Sequence, residues 1–123
     1  MKKYMKPIEM GEMLEEEFMK PFGLSAYKLA KLINVPVSRI QDILHNRRKI
    51  SIDTSMRLGK LFGMDDLFFF RLQLDLDYQK AKIEAAQELE RIKRINKHPE
   101  AFLKSKAKLQ TELDNITKIS VEE

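Results

Sequence analysis

The chain has no cysteine and no tryptophan, and only four glycines and four prolines in 123 residues. Without cysteine there is neither a disulfide framework nor a thiolate metal site, which fits a reducing cytosol. So few glycines and prolines leave little room for the tight turns of an all-β fold. No apolar run approaches the roughly 18 residues of a membrane span. The opening stretch, MKKYMKPIEMGEM, meets charge again at Lys6 and Glu9 and so lacks a signal peptide's apolar core. Hydrophobic residues make up 43% of the chain, enough for one modest core. The composition predicts a cytoplasmic, all-α protein with no membrane segment.

Charge is unevenly spread. Between Lys20 and Lys60 nine basic residues face two acidic ones, a net of +7, although the whole chain carries only +4. Just upstream, Glu9, Glu12, Glu15, Glu16 and Glu17 stand with no base among them. A basic segment attracts phosphates. The plainer reading of each run is a solvated surface, with the glutamates as a docking face for a basic partner in second place.

Apolar spacing is helical. Met10, Met13, Leu14 and Phe18 predict a first helix, ended by Pro21 and Gly23. Ser25 is a fitting N-cap for a second, with Leu29, Ala30, Leu32 and Ile33 inward and Asn34 stopping it in the left-handed conformation. A third helix follows Pro36, with Val37, Ile40, Ile43 and Leu44 apolar. Asp53 is the expected cap of a fourth, whose Met56, Leu58, Leu61 and Phe62 face a core before Gly63. Asp65 opens a fifth, running through Leu67, Phe69, Phe70, Leu72 and Leu76. From Gln79 the composition changes to a charged stretch with a narrow stripe of Ala85, Leu89, Ile92 and Ile95. A break at His98-Pro99 precedes a last helix with Phe102, Leu109, Leu113 and Ile116. No internal repeat is read in the chain. The division expected is a domain over 1–78 and a C-terminal helical extension over 79–123, which packs back, pairs with another copy or holds a partner.

The span from Ala26 to His45 has the pattern of a helix-turn-helix. Ala30 is small where two helices cross, Asn34 tolerates the turn, and Leu29, Val35, Ile40 and Ile43 lock the pair. Val37, Ser38, Gln41, Asp42 and His45 then form the outward face that such a motif lays in the major groove. Gln41 has the paired donor and acceptor that read adenine, and Ser38 is less selective. Ser25, Lys28, Arg39, Arg47, Arg48 and Lys49 suit phosphates, which fix register rather than sequence. Other chemistry is poorly provided for. His45 and His98 lie far apart without ligand spacing to any acid, so no metal site is expected, and His98 reads as a helix cap. No phosphate-cradling glycine loop or nucleophile motif occurs, so neither a cofactor nor catalysis is expected. The seven methionines read as adaptable core fillers, and Phe68, Phe69 and Phe70 as core with one ring left for a dimer seam.

Residues 8–78 resemble the Xre/Cro-type helix-turn-helix domain, and more closely the HigA-type (VapI-type) antitoxins. The stretches that carry the likeness are GEMLEEEFMKPFGLS, YKLAKLINVPVSRIQDIL, NRRKISIDTSMRLGKLFG and LFFFRLQLDLDY. The chain departs from that family's usual pattern with Glu9-Met10 before Gly11, His45-Asn46 in the loop, and Phe69 where tryptophan is common. The resemblance implies a five-helix, lambda-repressor-like domain that forms a homodimer on a palindromic operator of double-stranded DNA. It also implies autorepression and a RelE-like ribonuclease toxin as partner, encoded by the adjacent gene. A stand-alone phage-type repressor and, further off, a helical protein-binding adaptor are the competing expectations.

Overall fold

The structure, a computed structural model, describes residues 8–122. Its first helix, α1, is not uniform. It begins as an α-helix over Met10–Met13, widens to a π-helix over Leu14–Met19 and tightens to a 3₁₀ turn over Lys20–Phe22 that contains Pro21. Met10, Leu14 and Met19 are its buried side chains. Leu14 and Met19 are five residues apart, a step that the 3.6-residue repeat of an α-helix would turn to different sides. The wider hydrogen-bonded ring of the π stretch brings both to the core. Gly23, with φ of 65°, ends the element.

The helix-turn-helix pair follows as α2 (Ala26–Ile33) and α3 (Val37–Leu44). The Ser25 hydroxyl accepts the Lys28 N–H at 3.1 Å, capping α2 as expected. Asn34 stops it at φ 64°, and the Val35 N–H returns to the Ala30 carbonyl at 3.0 Å. Pro36, extended at its ψ of 145°, starts α3. Leu29, Ala30, Ile33, Ile40 and Ile43 are buried between these helices and their neighbours. Each fully buried Leu or Ile contributes about 1.5–3 kcal/mol. Leu32, expected inward, is half-exposed. It sits one residue off the buried stripe and lines an open groove with Met56 and Lys60.

Helix α4 (Ile52–Phe62) is capped by Ser51, whose hydroxyl accepts the Thr54 N–H at 3.2 Å. Asp53 is not the cap but a first-turn residue, where a carboxylate favours the positive end of the helix. Leu58 is buried as expected, whereas Met56 is exposed beside Leu32 along an open groove. The left-handed Gly63, at φ 70°, closes α4. Helix α5 (Phe68–Glu90) starts later than Asp65, which instead offers its carboxylate to the Leu67 N–H at 3.0 Å and its carbonyl to the Phe68 N–H at 3.0 Å. The buried Ser55 hydroxyl ties α4 to α5, donating to the Asp66 carbonyl at 2.6 Å and accepting the Phe70 N–H at 2.9 Å. Phe69 is fully buried, with its ring centre 4.8 Å from that of Phe18, while Phe68 and Phe70 are half-buried.

The chain divides into two units, Met1–Gln87 and Glu88–Glu123. Helix α5 runs without interruption through Gln79, where the composition changes. In the second unit α6 spans Glu100–Glu122, with the Pro99 carbonyl accepting from the Leu103 N–H at 3.1 Å. The rings of His98 and Phe102 meet in a T-shaped contact with their centres 4.9 Å apart. No helix among the described residues is long and apolar enough to cross a membrane.

Candidate nucleic-acid interface

The residues expected on the outward face of α3 do not share one environment. Ser38 and Gln41 are exposed, as is His45, which forms the C-cap of α3. His45 Nδ1 lies 2.8 Å from the Gln41 carbonyl. A carbonyl only accepts, so Nδ1 carries the proton in this contact and Nε2 is left for other partners. Val37, at the start of α3, is half-buried and packs partly on the core, so it is less open than Ser38 and Gln41. Asp42 is half-buried and engaged: Arg47 reaches its Oδ1 with Nη2 at 3.0 Å and Nε at 3.3 Å, and Arg48 lies 3.8 Å from its Oδ2.

The cations expected to meet phosphates are mostly held by carboxylates. Besides Arg47 and Arg48, Lys49 Nζ is 2.9 Å from Asp77 at the side of α5. Arg39 Nη1 donates to Asp53 at 2.8 Å and to the Thr54 hydroxyl at 3.4 Å, so α4 fixes it. Its guanidinium, followed by that of Arg57, holds the Asp53 carboxyl below the ordinary carboxylate value. Lys28 has no acidic partner within 4 Å among the described residues, and it sits beside the Ser25 cap at the start of α2. Ser25, Lys28, Arg47, Arg48 and Lys49 are all exposed. The acidic partners pre-position long side chains, and an approaching phosphate competes with them for the same donors.

Two supporting residues carry no outward sign of their role. Arg57 on α4 donates from Nη1 to the Ile33 carbonyl at 2.9 Å and the Asn34 carbonyl at 3.3 Å, while its Nε holds Asp53 at 3.0 Å. It thereby satisfies the carbonyls left open at the end of α2 and braces the turn before α3. The i,i+4 spacing of Asp53 and Arg57 signals their ion pair but not the reach to the carbonyls of Ile33 and Asn34. Gln73, buried on α5, accepts the Ile50 N–H at 3.1 Å and donates to Asp77 at 3.1 Å, fixing the loop that carries Arg47, Arg48 and Lys49.

The loop's other anchor is Asn46, at φ 61°, whose side-chain oxygen accepts the Gly11 N–H at 2.9 Å. A Cβ on Gly11 would lie 2.3 Å from the Leu44 carbonyl oxygen, so only glycine permits this approach of α1 to the end of α3.

The helix-turn-helix family profile matches residues 16–69. Virulence-associated protein I of Dichelobacter nodosus is 42% identical over 81 residues, covering 66% of this chain and 75% of that protein. A solved addiction module antidote protein of the HigA family from Coxiella burnetii is 35% identical, with a TM-score of 0.67, over 74% of this chain and 100% of that one. The Pseudomonas aeruginosa antitoxin HigA, solved with the higBA promoter, is 29% identical, with a TM-score of 0.67, over 74% and 100% of the two chains. The α1–α5 arrangement, the capped turn at Asn34 and these likenesses agree: the chain belongs to the Xre-type helix-turn-helix family, in the group of HigA- and VapI-type antitoxins.

Proposed function

We propose that the protein is a homodimeric DNA-binding antitoxin that represses its own operon and neutralises a RelE-like ribonuclease toxin from the adjacent gene. The observation that carries the DNA-binding half is the placement of Ser38, Gln41 and His45 exposed along α3 with Arg47, Arg48 and Lys49 following them. Short polar side chains on the helix read base edges, and the cations beside them meet phosphates. One recognition helix reads few base pairs, so two copies on half-sites one helical turn apart supply the specificity. The solved HigA with its promoter supports repression of the protein's own operon. The protein acts in the cytoplasm, where the operator is, and the reading assigns it no catalytic residue, metal or cofactor.

The test is to express the adjacent open reading frame alone and together with this protein, and to follow growth. Arrest by the neighbour that this chain relieves is the expected result. An inert neighbour, or arrest that the chain does not relieve, overturns the antitoxin half. Salt-dependent binding to the promoter, retained in that case, would leave a plain repressor.

A further inference from the structure

Helix α6 has nothing to bury against within itself, yet its apolar residues are ordered along it. Phe102, Leu109, Leu113 and Ile116 are 46%, 60%, 58% and 64% exposed. A lone helix of this kind is marginal in water, because most helical stability comes from covering an apolar face. Its charge is ordered too. Residues 100–110 carry Lys104, Lys106 and Lys108 against Glu100, and residues 111–122 carry Glu112, Asp114 and Glu122 against Lys118. The first half is therefore net +2 and the second net −2.

A partial likeness precedes it: Tyr78, Lys80, Lys82, Glu88, Leu89, Ile92 and Ile95 stand 24 residues before Phe102, Lys104, Lys106, Glu112, Leu113, Ile116 and Ile119. That earlier stretch has Ala85 in the place of Leu109 and returns to basic residues at Arg91, Lys93, Arg94 and Lys97, so the basic-then-acidic order belongs to α6.

We infer that α6 is a pairing surface for α6 of a second copy, running antiparallel about Leu109. Antiparallel pairing sets the basic half of each copy along the acidic half of the other, whereas parallel pairing stacks like on like. Phe102 and Ile116 lie seven residues to either side of Leu109, so each meets the other's counterpart across the pair. The chain's own preceding run, Arg91, Lys93, Arg94 and Lys97, is a poor match for the basic half of α6, which favours a second copy as occupant. This inference rests on the homodimer in the proposed function and supplies a surface for it.

The absence of cysteine gives a clean test in the full chain. Leu109→Cys is expected to form a disulfide between copies under mild oxidation. Phe102→Cys mixed with Ile116→Cys is expected to form the mixed disulfide, and Ile116→Cys alone is not. Adding Leu113→Glu should lower the cross-link yield by at least about tenfold, in line with loss of a buried leucine contact. Linking of Ile116→Cys to itself as readily as to Phe102→Cys overturns the antiparallel order. No linking in any combination overturns the pairing and leaves the stripe to the toxin. Promoter binding by the same variants separates the two ideas: linked copies that ignore DNA sink the repressor reading alone, and unlinked copies that bind it sink only this one.

Discussion

The amide oxygen of Asn46 accepts the backbone N–H of Gly11 at 2.9 Å, joining the loop after α3 to the first helix across 35 residues. Two conditions meet in that bond. Asn46 sits at φ 61°, which few side chains tolerate, and Gly11 lies where any side chain would strike the Leu44 carbonyl.

Substitutions at these two residues should therefore fall in a definite order. Asn46→Gly keeps the backbone conformation and loses the hydrogen bond, about 1 kcal/mol. Asn46→Ala adds backbone strain and should cost about 2 kcal/mol or more. Gly11→Ala forces α1 away from α3 and should be the worst, about 3 kcal/mol or more. Urea unfolding of the three variants checks the order, and an Asn46→Gly variant less stable than Asn46→Ala would contradict it.

On DNA, Gln41 and Arg47 should fail differently. Gln41→Ala should cost about 1–3 kcal/mol on the operator and little on random DNA. Arg47→Ala should weaken both alike and reduce the salt slope by about one. Fluorescence anisotropy titrations over a salt series read both effects. Equal losses on both DNAs from both substitutions would refute this division of roles.

Asp42 gives an opposite-signed prediction. It is expected as a base-reading residue from its position on α3, yet it is occupied by Arg47 and Arg48. If its function is to park those arginines, Asp42→Asn should tighten binding to any DNA severalfold, because a negative charge is removed and two cations are released. Stability should fall by no more than about 1 kcal/mol, as exposed ion pairs contribute little. Loss of affinity confined to the operator would instead establish Asp42 as a base contact.

The pH dependence of folding should carry a mark of Asp53. Its carboxyl is held below the ordinary value by Arg39 first and Arg57 second. A depressed folded-state value means that the stabilisation is present above the ordinary aspartate range, near pH 4, and is lost as pH falls through the lower folded-state value. Thermal melts of the protein and of Asp53→Asn should differ at neutral pH and converge on acidification. Divergence toward low pH would give the wrong sign.

Much of this architecture is legible in the sequence because it rests on local chemistry. Ser25, Asn34 and Gly63 punctuate their helices through their own side chain or backbone preference, so no distant partner is needed to place them. Leu32 and Met56 were expected inward because periodicity marks a broad apolar side without saying how much of it a neighbour covers. Ser51 and Asp53 are both good caps two residues apart, and only the hydroxyl's contact with Thr54 decides between them. The partners of Asn46, Gln73 and Arg57 are 35, 23 and 24 residues away, beyond the reach of any spacing rule. At the candidate site the charges were legible but their pairing was not. Arg39 belongs to Asp53 because α4 passes beside α3, a fact of tertiary packing.

Arg57 makes the recognition element a dependent one. Its guanidinium closes the carbonyls of Ile33 and Asn34 from a helix that the two-helix motif does not include. The angle at which α3 is presented is therefore set partly from outside the motif. Residues 26–44 grafted into another scaffold would carry the reading side chains without the brace that aims them. A change of specificity in this protein is thus better sought by exchanging Ser38 and Gln41 in place than by transplanting the motif whole.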